Sequence, residues 1–262
     1  MSYIEKLFNL ENKVAVIIGA GGHICSELAK GLYLSGCHMI LLDIRKPKTD
    51  ILKKKLKKIN ELNDQEIFNF KFDANKDNDY KKILQLISKR FKKLDILING
   101  AGINSPKNIL EFSTKEWNKV VQSHINTTFL SCKYFGKYMK NKKSGSIINF
   151  SSASAGPPLS KAFPYSVGKA GVKNLTQNLA REWAHDGVRV NCIRPGFFPT
   201  DWNLKNFIDR KRKKDILAHT PLNRFGDVKE LISPILLLAS DSSSFITGSE
   251  LTVDGGFSSM TI

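Results

Sequence analysis

Short apolar runs alternate with longer segments of helical periodicity along most of the chain. Seven of the runs read as strands: Val14–Ile18, His38–Leu42, Ile67–Phe72, Leu94–Ile98, Ser146–Phe150, Val188–Ile193 and Glu250–Val253. They are short, bounded and apolar nearly throughout, as strands covered on both faces are. Helical patterns such as Ile24–Leu34 and Val167–Ala184 fill the gaps. Strands alternating with helices imply a parallel sheet with right-handed crossovers. The expected fold is α/β, a doubly wound parallel sheet of about seven strands with helices on both faces. No repeat or low-complexity linker divides the chain, so residues 1–262 are expected to form a single domain. Phe197–Thr220 breaks the rhythm, being polar, basic and aromatic.

Composition narrows the picture. A chain of 262 residues can bury a large core. No apolar run is long enough to cross a bilayer. Met1–Asn12 lacks a basic segment followed by an apolar stretch and a cleavage site, so a soluble, cytoplasmic protein is expected, with no membrane partner. Cys25, Cys37, Cys132 and Cys192 are scattered, with no Cys-x-x-Cys pair and no zinc-ligand spacing. They read as reduced thiols packed as small apolar groups, and no metal site is expected. The formal charge of +17 would attract anionic partners. The lysines of Lys53–Lys58 lie in a leucine/isoleucine helical pattern and read as a solvated face. A second basic run is Arg210–Lys214. No helix-turn-helix, zinc finger or stacked-aromatic platform accompanies the charge, so no nucleic-acid partner is expected.

Three features carry chemistry. Tyr165 and Lys169 are four residues apart, which on a helix places them on one face. An ammonium beside a phenol favours the phenolate and lowers the tyrosine pKa, as suits an acid–base catalyst. The plainer reading is a pair on a helix surface. Ser152 ends the strand-like run 145–152, at the sheet edge where α/β proteins bind ligands. It could hydrogen-bond a substrate oxygen, or only cap a turn. Val14–Ile18 runs into Gly19-Ala20-Gly21-Gly22-His23-Ile24-Cys25, a strand, glycine turn and helix start that together make a pyrophosphate site. Asp43 follows about twenty residues later, where a carboxylate holds ribose hydroxyls and repels a 2′-phosphate. NAD is therefore favoured over NADP, although Arg45 and Lys46 stand close behind and could pair with such a phosphate.

The spacing of Ser152, Tyr165 and Lys169 resembles the short-chain dehydrogenase/reductase family, in its single-domain branch. Asn99-Gly100-Ala101-Gly102, Asn126 in His124–Thr127, the loop Pro195–Thr200, and Ile246–Gly248 through Val253–Gly256 resemble further family motifs. The resemblance spans Asn12 to Phe257 and implies a Rossmann-type domain that transfers hydride between a nicotinamide and a carbinol or carbonyl carbon. It implies that Asn126 keeps a water in a proton relay behind Lys169. It places Asp73 and Ala74 at the adenine, and Asn99, Ala101 and Gly102 at sheet closure and the ribose. Ile193, Pro195, Gly196 and Thr200 fall at the nicotinamide. Asp73 could instead cap the next helix, and Thr200 could simply start the helix after Pro199. The family's three glycines fall on Gly19, His23 and Cys25, so only the first matches. Gly21 and Gly22 restore freedom to the loop, and His23 reads as a bystander at its rim or a phosphate contact beside Ile24.

The resemblance further implies a flap over the substrate at about 197–220 and a homotetramer. The lead-in Leu7–Lys13 resembles that of sugar and sugar-acid members. Arg210–Lys214 could favour an anionic sugar or be a solvated run. The alternatives are a 3-oxoacyl-carrier-protein reductase, against which Asp43 argues, and a non-catalytic cofactor sensor, for which the altered glycine loop argues.

Overall fold

A computed structural model describes residues 3–59, 64–206 and 208–260. The strands are β1 (Val14–Ile18), β2 (His38–Asp43), β3 (Ile67–Lys71), β4 (Ile96–Asn99), β5 (Gly145–Phe150), β6 (Val188–Pro195) and β7 (Glu250–Val253). The helices are α1 (Tyr3–Leu7), α2 (His23–Leu34), α3 (Lys46–Ile59), α4 (Asp77–Arg90), α5 (Thr114–Ser131), α6 (Lys137–Asn141), α7 (Phe163–Trp183), α8 (Asp201–Asn206), α9 (Arg210–Ala218) and α10 (Ile232–Ala239). The expected strands are all present, β1 and β7 with the expected bounds and the others with shifted ends. Leu94 is buried but lies outside β4, because the Asp95 carboxylate takes the Val14 N–H, at 2.8 Å, ahead of the ladder.

All seven strands pair in parallel, in the order β3-β2-β1-β4-β5-β6-β7. The order reverses between β1 and β4, the switch point at which such sheets bind ligands. Ile18 pairs with Leu42 on one side and Asn99 on the other. The chain therefore leaves β1, β2 and β4 at one level, and Gly19, Asp43 and Gly100 emerge together.

Alternate side chains fill two cores. Ala15, Ile17, Met39 and Leu41 pack with Leu28 and Leu32 of α2 and Leu238 of α10. Val14, Val16, Ile40 and Leu42 pack on the other face with Ile83 and Ile87 of α4 and Trp183 of α7. Burial on both faces explains why the strand segments read as apolar runs without a polar phase.

Two helices matter most to the site. Helix α5 is capped by Ser113, whose hydroxyl accepts the Glu116 N–H at 3.2 Å. Its buried stripe includes Val120, His124, Thr127 and Ser131. Helix α7 begins earlier than its apolar pattern indicates, with Pro164 in the first turn, where a missing N–H costs nothing. Tyr165 thus sits in the first turn and Lys169 in the second. The expected flap forms α8 and α9, with Phe207 outside the described residues. Asp209 caps α9 through the Arg212 N–H at 2.7 Å. The Arg212 guanidinium reaches Ser160, 2.7 Å to its hydroxyl and 3.0 Å to its carbonyl, tying α9 to the loop before α7. Among the described residues, no helix is long and apolar enough to cross a membrane.

Candidate active site

The glycine turn closes tightly. Gly19 has φ +81°, and a Cβ there would lie 2.8 Å from the Ala101 nitrogen. The first bond of α2 runs from the Ser26 N–H to the Gly22 carbonyl at 2.9 Å. The N–H groups of His23, Ile24 and Cys25 precede it and lack intrahelical acceptors, as the positive end of any helix does. His23 is exposed. Cys25 is buried, and its sulfur fills space left by Gly100, where a Cβ would come within 2.1 Å of it. Burial pushes the Cys25 thiol up to about 12, so it is inert. Both departures from the glycine pattern are thus accommodated.

Asp43 ends β2, buried, with its carboxylate accepting the Gly21 N–H at 2.9 Å and the Arg45 N–H at 2.8 Å. Arg45 Nε stands 3.8 Å from it, whereas Lys46 pairs with Asp50 at 2.8 Å. Asp73 accepts the Asn75 N–H at 3.0 Å in a local turn. It does not cap α4, whose N-cap is Lys76. Ala74 is buried, its carbonyl held by the Tyr80 hydroxyl at 2.9 Å. A glycine cradle, unpaired helical N–H groups and a carboxylate at the end of β2 fit a nicotinamide dinucleotide.

The side chain of Asn99 departs from expectation on the ribose side. Its amide donates to Asn149 at 2.8 Å and its oxygen accepts from Ser131, while Asn149 donates to Thr176 at 2.8 Å. This buried ladder stitches β4, β5, α5 and α7 together and, with the Cys132 sulfur 3.8 Å from the same amide nitrogen, turns the Asn99 side chain into the protein. Thr200 departs as well. Its hydroxyl donates to Asn203 at 2.5 Å and accepts the Asn203 N–H at 3.1 Å, so it starts α8 instead of turning to the cavity.

Ser152, Tyr165 and Lys169 do converge. They line one cavity of about 240 Å³ at the carboxyl ends of β4, β5 and β6, with Pro195 and Gly196 in its wall and Asn203 and Ile208 from the flap. Ser152 Oγ accepts from the Ser154 N–H at 3.2 Å and the Ser154 hydroxyl at 3.1 Å, which leaves its own proton free to donate. Lys169 is buried, donates to the Phe150 carbonyl at 2.7 Å, and lies 5.7 Å from the Tyr165 ring centroid. Burial lowers the Lys169 pKa to about 8. The expected depression of Tyr165 is overturned: burial holds the phenol above its ordinary value, and the Ser152 hydroxyl offsets this only in part. With Lys169 turned to Phe150, desolvation is the larger effect.

Asn126 is not brought to this cluster. Its amide donates to Asn75 at 3.1 Å, and it is absent from the cavity wall. The residue of α5 that reaches the site is His124, only 3% exposed, in the cavity wall and edge-to-face with Tyr165 at 5.0 Å between centroids. Sequence reasoning missed it. The signal was present: Val120, His124, Thr127 and Ser131 repeat at helical spacing, and a position two residues from His124 lies off that stripe.

Fold and site together define a dinucleotide-dependent oxidoreductase of the doubly wound α/β class. Residues 19–258 match the family described as Enoyl-(Acyl carrier protein) reductase. The chain is 30% identical to the 2-dehydro-3-deoxy-D-gluconate 5-dehydrogenase of Escherichia coli K12 over 255 residues, covering 97% of this chain and 98% of that one. It is 30% identical to the NAD-dependent glycerol dehydrogenase of Listeria innocua over 253 residues, covering 97% and 96%. Its fold matches the crystal structure of a gluconate 5-dehydrogenase from Burkholderia cenocepacia in complex with NADP and tartrate. That match has a TM-score of 0.92 at 27% identity and covers 99% of this chain and all of that one. The chain belongs to the short-chain dehydrogenase/reductase family.

Proposed function

We propose that this chain is an NAD-dependent dehydrogenase that interconverts a secondary alcohol and a ketone on a sugar-derived substrate. The observation that carries this reading is the convergence of Ser152, Tyr165 and Lys169 on one cavity beside the dinucleotide cradle. Bound nicotinamide supplies or takes up the hydride. The protein's own groups manage the oxygen. Tyr165, whose phenol burial holds above its ordinary value, gives its proton to the carbonyl oxygen in reduction and recovers it in oxidation. Ser152 donates to the same oxygen, already aimed by Ser154. The Lys169 ammonium stabilises the phenolate as it forms. Gly19, Gly21 and Gly22 would let the pyrophosphate approach the backbone, the Ile24 N–H would hold it, and Asp43 would hold the adenosine ribose.

The sugar-derived substrate is supported by the names of the relatives and by a small cavity with polar groups from Asn104, Ser152, Ser154 and Asn203. The buried carboxylate of Asp43 supports NAD, with Arg45, 3.8 Å from it, as a nearby cation that could serve NADP. A 3-oxoacyl-carrier-protein reductase is disfavoured on the same ground, and a silent sensor by the assembled catalytic groups. The reading extends by resemblance to one domain with its flap, in a cytoplasmic homotetramer, which light scattering and fractionation test.

Two measurements decide. Calorimetric titration should show NADH binding at least about tenfold more tightly than NADPH, about 1.4 kcal/mol. Tighter NADPH binding would transfer the ribose-end role to Arg45. Tyr165→Phe should lower kcat on polyols and sugar acids by about 10²–10⁴-fold and leave NADH affinity within a few fold. Activity on acetoacetyl thioesters alone would move the assignment to the carrier-protein reductase.

A further inference from the structure

The proton transfer above makes no use of His124, yet the site is built around its ring. Nε2 lies 2.8 Å from the Ile103 carbonyl, and a carbonyl only accepts, so Nε2 carries the proton. On one side a Cβ on Gly102 would come 2.1 Å from Cε1 and 2.3 Å from Nδ1. On another, a Cβ on Gly168 would stand 3.1 Å from the histidine Cβ and 3.2 Å from Cδ2. The Tyr165 ring meets the imidazole edge to face, at an interplanar angle of 87°. Gly102 belongs to the loop after β4, and Gly168 precedes Lys169. Two glycines thus make room for one imidazole between the loop and the catalytic helix.

The ring is also held in one charge state. Nδ1 is buried with no partner among the described residues. Protonating it would bury a charge near the Lys169 ammonium, and desolvation pushes the His124 pKa down to about 3. A neutral ring has a single N–H to donate, and it donates it to Ile103.

We propose that His124 is a positioning residue for Tyr165. It is a neutral wedge, tied to the loop after β4 through Nε2–H and the Ile103 carbonyl, that sets the angle of the phenol and couples it to the loop. This rests on Tyr165 being the proton donor. A reacting group misplaced by about 1 Å costs about 10²-fold in rate.

His124→Ala removes wedge and tie, whereas the amide of His124→Gln restores a donor near Nε2. His124→Ala should lower kcat by about 10²-fold, with KM and NADH affinity within about threefold. His124→Gln should recover about tenfold of that loss. The kinetic isotope effect from deuterated NADH should rise in both variants as chemistry becomes limiting. A kcat for His124→Ala within about threefold of wild type overturns the proposal, as does a loss seen only in melting temperature or NADH affinity. Should His124→Ala fail to fold, His124→Gln decides: kcat reduced by about tenfold with a raised isotope effect supports the wedge, and wild-type values of both overturn it. Imidazole ¹⁵N resonances of the unliganded wild-type protein give a readout free of turnover. They should show His124 neutral and protonated at Nε2 from about pH 5 to pH 8; titration in that range overturns the arrangement. Tyr165→Phe assayed in parallel separates the outcomes. An active Tyr165→Phe removes the proposed function, whereas an inactive one beside unaffected His124 variants removes only the wedge.

Discussion

Lys169 is held under two opposing demands. Its ammonium serves the site, while burial lowers its pKa from 10.5 to about 8. Between those values the unfolded chain keeps a proton that the folded chain has released, so stability rises with pH across that window. Below about 8 the buried charge is a constant cost. Lys169→Met lacks this titration, so its melting temperature relative to wild type should fall by a few degrees between pH 8 and 10.5. Paired thermal melts across that range check this, and turnover should be lost throughout. At this scale the convergence of Ser152, Tyr165 and Lys169 was legible because it follows from local spacing on one strand end and one helix. The direction of the Tyr165 shift was not, since desolvation depends on walls supplied by distant segments. Nor was the fate of the Asn99 amide, consumed by partners 32 and 50 residues away.

Elements decide which face of a helix meets the site. The stripe of α5 carries His124 inward and leaves Asn126 to pair with Asn75. Reading α5 by motif selected the asparagine, whereas reading it by period selects the histidine. The matching space is glycine: Gly102 admits the ring edge and Gly168 its stem. Gly102→Ala should therefore displace the ring, destabilise the fold by about 1–3 kcal/mol, and lower kcat to roughly the level of His124→Ala. Chemical denaturation and steady-state kinetics on one preparation check both parts. The strand–helix alternation was legible because both-face burial writes continuous apolar runs. Strand ends were less so, because side chains such as Asp95 intercept ladder donors.

Over the whole molecule, the excess of positive charge faces solvent. In α3, Leu52 and Leu56 are buried while Lys54, Lys55, Lys57 and Lys58 are exposed, as the period predicts. In α9, Lys211, Lys213 and Lys214 are exposed, and Arg212 alone of the run is held against the loop before α7. Exposed charges are screened beyond about 8 Å at physiological salt. Replacing Lys211, Lys213 and Lys214 by glutamine should change KM by less than about twofold for neutral polyols and sugar acids alike. Steady-state kinetics at two salt concentrations check it. A larger rise for the acids would show that the run steers anions.

Cys25 and Gly100 depend on each other at their contact. A side chain at 100 would strike the sulfur, and a glycine at 25 would leave an unfilled hole beside the loop. Neither position can drift alone without loss, so the two form a lock in which each substitution is tolerable only on the background of the other. The departure from the glycine motif at position 25 is matched by the absent side chain at position 100.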